Sequence, residues 1–302
     1  MIVRSIPRVV DIHRIGGSAC AASTPPSWLI EVPHGATETA DFDELAARLV
    51  SPLPPGLVDF FHVNTDVGAF ELGLATAEHL VTAAPNCCVV IIRSRIPRTF
   101  IDCNRRIDAP PEAFREGSVT PGLMPWITAA DDRVLLRDRY DQYVATVGAE
   151  CELAPAAGVL LLHSYAPRTV GVEVDGDIVA SLRRAYEPAI QATWPLRPEL
   201  DVIARDAAGH SYAPAHAVAA LRTGVSAFGW TVGDSLTYPL HPSTLAWDHV
   251  MARPGRTLCV EVRRDLLADP FDPFVHMHIS ADKVDRLARP LAAAVALLRT
   301  PS

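Results

Sequence analysis

The sequence predicts an α/β fold: a single domain, residues 1–302, with a mixed, mostly parallel sheet flanked by helices. Three observations predict it. Short, almost wholly apolar runs recur along the chain, segments with helical spacing separate them, and no internal repeat or shift in composition divides it. The runs are residues 28–32 (WLIEV), 87–92 (CCVVII), 158–162 (GVLLL) and 257–262 (TLCVEV). β-Branched residues and leucine dominate them, as in strands covered on both faces.

The first helix is expected over 42–50, behind a cap at Asp41. The second spans 67–81, where apolar residues recur three and four apart. A third spans 131–153, with Val134, Leu135, Tyr140, Val144 and Val147 available as its apolar side. Residues 213–221 and 282–298 are also helical in spacing, and the latter offers Val284, Leu287, Leu291, Ala294 and Leu298 to a sheet. Residues 109–126 lack any such pattern. Loops of that length are uncommon unless they wall or cover a binding site.

Composition narrows the function. The net charge is -8 and no stripe of Lys/Arg is present, which argues against nucleic acid as a partner. No apolar stretch reaches the roughly 18 residues of a membrane span, and the first residues lack the apolar run of a signal peptide. None of the six cysteines forms a CxxC pair, and Cys87, Cys88 and Cys259 lie in apolar runs. Free thiols in a cytoplasmic protein are therefore expected. Arginines nevertheless cluster at Arg93, Arg95, Arg98, Arg105 and Arg106, which suggests a pocket for a small anion.

The chemistry-bearing residues fall where the inferred strands end. His34 follows the first run, His163 the third, and Glu261 lies inside the last. Open α/β sheets bind ligands at the carboxyl ends of their strands. Two imidazoles leaving different strands can thus converge on one metal ion, with a carboxylate as third ligand. A glutamate within an apolar strand points to function, because a buried charge is costly unless paired; Arg263 or Arg264 is the partner that would make it ordinary. Residues 94–106 add Asn104 and Arg105, a pair suited to a carboxylate. Asp102 can hold that arginine or support a metal-bound histidine. Residues 224–228 lack the second glycine of a serine nucleophile elbow, and no glycine-rich dinucleotide fingerprint follows the first strand.

Five motifs stand in order over residues 28–267: Pro33-His34-Gly35-Ala36, Asn64-Thr65-Asp66-Val67-Gly68-Ala69, Ser94-Arg95 with Asp102-Cys103-Asn104-Arg105, His163-Ser164, and Glu261-Val262-Arg263-Arg264-Asp265-Leu266. Together they resemble the N-formylglutamate amidohydrolase family. The resemblance implies a zinc-exopeptidase-like fold with an eight-stranded sheet. It implies one Zn2+, or another divalent metal, held by His34, Asp66 and His163, with Glu38 as the alternative acid. It also implies Glu261 as general base, Arg95 as a second catalytic residue, and Arg95, Asn104, Arg105 and Arg263 as substrate-binding residues. The implied reaction is hydrolysis of an amide bond in an N-formyl or N-acyl acidic amino acid by metal-activated water. Two departures loosen the substrate: Gly35 replaces the usual serine, and residues 233–243 (GDSLTYPLHPS) replace a glycine-rich stretch, with Tyr238 and His241 as candidate contacts. The alternatives are an amidase or peptidase acting on a larger modified peptide, and a non-catalytic binding protein for acidic ligands on the same fold.

Overall fold

All four apolar runs are strands, and they lie side by side at the centre of a seven-stranded sheet. The structure, a computed structural model, describes residues 3–117 and 119–299. Its elements in chain order are β1 (Val10–Gly16), β2 (Trp28–Val32), α1 (Thr39–Ala46), α2 (Val58–Asn64), α3 (Ala69–Ala83), β3 (Cys88–Ser94), α4 (Pro111–Glu116), α5 (Ala130–Leu153), β4 (Gly158–Tyr165) and α6 (Ile178–Ala185). There follow α7 (Pro188–Gln191), β5 (Leu200–Val202), α8 (Ala215–Ser226), β6 (Val232–Asp234), α9 (Leu245–Ala252), β7 (Thr257–Arg263), β8 (Ala268–Asp269), β9 (His278–Ile279) and α10 (Ala281–Ala296). No helix among the described residues is long and apolar enough to cross a membrane.

The strand order is β1-β3-β2-β4-β7-β5-β6. β3, β2, β4 and β7 are mutually parallel, whereas β1 and β5 run antiparallel to their neighbours β3 and β7. The sheet thus has seven strands where the resemblance implied eight; β8 and β9 form a separate ribbon. The parallel strands need crossovers, and helices supply them on both faces. One face packs against α3, α8 and α10 through residues such as Leu72, Leu221 and Leu291. The other packs against α1, α2 and α5 through Leu45, Phe61 and Tyr143.

Strand alternation divides each apolar run between these two cores. Leu160 and Leu162 face the α10 side, while Val159 and Leu161 face the α5 side. Continuing the period of two places His163, and likewise Glu261 beyond Cys259, on the α5 face. The two residues are direct partners in the β4–β7 pairing.

Two local expectations are corrected. Helix α1 begins at Thr39 with Glu38 at its N-cap, and Asp41 lies inside the first turn, bound by Arg95. In α5 the buried stripe is Leu136, Tyr140, Tyr143 and Val147, whereas Val134 is 70% exposed.

Glu31 ties the end of β2 to the α5 face. It accepts a hydrogen bond from Tyr143 Oη at 2.7 Å, and His249 Nε2 of α9 approaches its other oxygen at 2.8 Å. Burial opposes charge on both partners. The Glu31 carboxylate outweighs it at His249, whose pKa is pushed up to about 10 from 6.5. His249 and Tyr143 outweigh it at Glu31, whose pKa is lowered from 4.5. The stabilisation from His249 is complete below pH 6.5 and disappears as pH rises to about 10; that from Glu31 is lost as pH falls below 4.5. His249→Gln should cost about 3–5 kcal/mol at about pH 6, because it strands a buried carboxylate. Urea unfolding from about pH 6 to about pH 10 checks this, and the gap from the wild type should narrow across that range.

Candidate metal centre and active site

His34 leaves the end of β2 in the turn before α1, and Asp66 sits between α2 and α3. His163 stands near the carboxyl end of β4. Residues distant along the chain therefore meet at one edge of the sheet, and all three are at most 4% exposed. Asp66 Oδ2 lies 3.1 Å from His34 Nδ1 and 3.0 Å from His163 Nδ1, and the two ring nitrogens are 3.2 Å apart. Donors about 2.0–2.1 Å from a common tetrahedral ion stand roughly 3.3 Å from one another. The group can therefore hold a metal ion with little rearrangement. Glu38 is exposed and outside the group, so Asp66 is the acid that accompanies the histidines.

Asp102 sets the orientation of His34. Its Oδ1 lies 2.7 Å from His34 Nε2 and accepts the Asn104 backbone N–H at 2.8 Å. Burial opposes the charge on Asp102, but Arg105, His34 and Arg98 outweigh it and hold the carboxyl well below its usual range. An ionised carboxylate only accepts, so Asp102 favours the His34 tautomer with its proton on Nε2, which leaves Nδ1 free to ligate a cation shared with Asp66 and His163. This arrangement is the carboxylate–histidine support typical of metal ligands. Asp66 is held ionised in the same manner: burial opposes the charge, and His34 and His163 outweigh burial.

Glu261 sits beside the three. Burial pushes its carboxyl up to about 7, and Oε2 has no hydrogen-bond partner among the described residues. Arg98 completes the inner ring, 3.2 Å from Asp102 and 3.8 Å from Asp66. These residues open onto a cavity of about 870 Å³.

The arginine cluster splits in the structure. Arg98 and Arg105 line the cavity. Arg95 does not: it is bound to Asp41 at 2.7 Å and Asp11 at 2.8 Å on the α1 side. Arg263 is likewise turned away, to Asp265 at 2.9 Å and Glu199 at 3.3 Å. The pocket contacts expected for Arg95 and Arg263 are therefore corrected; nearby carboxylates take both elsewhere. Arg93 stacks over Phe70 and bonds Gly35 O, and Arg106 pairs with Asp248. Arg105 lies 3.7 Å from Asp102, and Asn104 faces His163, its amide nitrogen 3.5 Å from Nε2.

Two sequence departures acquire a cause. A Cβ on Gly35 would stand 2.6 Å from Arg93 Cγ and 3.1 Å from the Ser94 carbonyl, so no serine fits this turn as packed. In the 233–243 stretch, Thr237, Tyr238 and Leu240 line the cavity, while His241 bonds Ser243 instead. The segment 109–126 walls the cavity with Phe114, Thr120 and Leu123. It also contains the short helix α4. Arg197 and Arg264 also line the cavity, where sequence reasoning gave them no role, whereas Arg98 was expected there only as one of the arginine cluster. Arg98 had a detectable signal, since it precedes Asp102 by four residues in the richest motif. Cys103 is buried and its thiol pKa is raised by that burial, so it is no nucleophile.

With this geometry in place, comparison with solved structures identifies the fold. The chain shares the fold of an N-formylglutamate amidohydrolase. That crystal structure, from Ralstonia eutropha JMP134, matches with a TM-score of 0.54 at 17% identity, over 94% of this chain and 95% of the other. A gene product of Agrobacterium tumefaciens matches with a TM-score of 0.51 at 17% identity, over 95% of this chain and 94% of the other. No protein-family model and no curated protein matches the sequence.

Asp102→Asn should weaken binding of a divalent ion about 10- to 100-fold, because the support of a metal-ligating histidine is lost. Chelator competition read by metal content measures this, and unchanged affinity would remove Asp102 from the centre.

Proposed function

We propose that the chain is a metal-dependent amidohydrolase that cleaves the amide bond of an N-acylated, anionic substrate by activating water. The observation that carries the reading is the convergence of His34, Asp66 and His163 beside Glu261, whose buried oxygen has no partner. The shared fold with an N-formylglutamate amidohydrolase supports it.

His34 Nδ1, His163 Nδ1 and Asp66 Oδ2 would hold the cation, and zinc is well suited to two imidazoles and a carboxylate. When bound, such an ion acidifies water and polarises a carbonyl oxygen. Glu261 takes the proton from the attacking water and returns it to the departing nitrogen. Arg98, held by Asp102 and Asp66, stands where negative charge develops on the carbonyl oxygen and stabilises it. Asn104, beside His163, and Arg105 bind the substrate next to the scissile amide. Arg95 and Arg263 act outside the cavity, where they brace α1 and β7.

Glu261→Gln should retain the metal and lose turnover by about 100- to 10,000-fold on N-formyl amino acids. Chelation should abolish wild-type activity, and zinc should restore it. Full turnover by Glu261→Gln, or by the chelated protein, sinks the mechanism; binding without cleavage in the zinc-loaded wild type would instead mark a binding protein.

A further inference from the structure

We propose, on the hydrolase reading above, that the substrate carries a carboxylate held by Arg264 and a large apolar group seated in a chamber between α2 and α6. The class is an N-acylated amino acid with a bulky aliphatic or aromatic side chain, rather than an acidic one.

Arg264 follows β7 directly and is 3% exposed. Its Nη1 donates to the carbonyl of Val63 at 2.6 Å and weakly to that of His62, at the end of α2. Its Nε is buried without a hydrogen-bond partner among the described residues. Among the described residues no carboxylate forms an ion pair with it, although it lines the cavity. Arg105, the other deeply buried arginine of the cavity, has Asp102. Asp66 acts on Arg264 only from beyond ion-pair distance, and a buried guanidinium without a carboxylate in contact is costly unless a ligand answers it. Its fork suits a carboxylate.

The wall beside Arg264 is apolar. Val63, whose carbonyl it holds, lines the cavity with Phe60 of the same helix. Ile178 and Leu182 of α6, with Tyr186 after it and Val172 before it, supply more of the lining. Helices α2 and α6 pack against each other, which brings these groups together. The cavity of about 870 Å³ is far larger than a formyl group on a short acidic amino acid requires. Arg197, which also lines the cavity, already donates to Tyr238 and Thr169, so an acidic side chain among these walls would lose its water for little in return. An aliphatic or aromatic one would gain by burial.

The test compares three substrates with the zinc-loaded protein: N-formyl-phenylalanine, its carboxamide and N-formylglutamate. N-formyl-phenylalanine should exceed each of the others in kcat/KM by roughly 10- to 100-fold, the value of a charged hydrogen-bond pair or of a well-buried ring. Arg264→Met should erase the preference for acid over amide by raising KM with kcat little changed, and Arg264→Lys should keep part of it. If Arg264→Met fails to fold, the wild-type substrate ranking and Arg264→Lys still decide. Equal use of acid and amide, or a preference for N-formylglutamate, overturns the inference and leaves the hydrolase standing. If none of the three is cleaved, the hydrolase reading fails, and calorimetry on the same protein decides the site alone. Tighter binding of N-formyl-phenylalanine than of the other two upholds it; no binding, or the reverse order, overturns it.

Discussion

The contact between Asp102 and His34 organises the centre. A carboxylate with no solvent exposure is viable only when cations and donors surround it. Asp102 has the His34 ring, the Asn104 backbone N–H and the Arg98 and Arg105 guanidiniums. By accepting the Nε2 proton it decides which nitrogen of His34 carries the lone pair. That lone pair then points at the same spot as His163 and Asp66. Without this bond the ring could turn, and three buried polar groups would lose their common focus.

The sheet provides the second constraint. His163 and Glu261 face each other because β4 and β7 are parallel and in register. A slip of one residue in β7 would move Glu261 to the α10 face and into hydrocarbon. Apolar residues filling both cores make that register the stable one. The three candidate ligands and the neighbouring acid thus depend on the same packing that stabilises the fold.

The surrounding cavity is asymmetric. Arg98, Arg105 and the two histidines make one end cationic or metal-binding, whereas α2 and α6 make another end apolar. A small pocket for one acyl group would need neither the volume nor the second wall. Irregular segments at 109–126 and 233–243 build much of the enclosure, as is usual where function is carried by loops on a rigid sheet.

The apolar runs were readable as central strands because strands buried on both faces need no polar alternation. β1 escaped notice because an edge strand such as VDIHRIG mixes polar and apolar residues, and β5 and β6 because three residues are too few to show a period. His34, Asp66, His163 and Glu261 were legible because each departs from its setting, a polar residue at or near the end of an apolar strand or in an ordered motif. By itself, then, the sequence determined the fold class, the central strands and the residue types able to bind a cation. Only the tertiary structure decided which arginines reach the cavity. Arg95 finds Asp11 and Asp41, Arg263 finds Asp265 and Glu199, and Arg264 forms no ion pair among the described residues. A guanidinium on a long flexible stem goes to whichever acceptors folding brings within reach, and adjacency along the chain does not encode that.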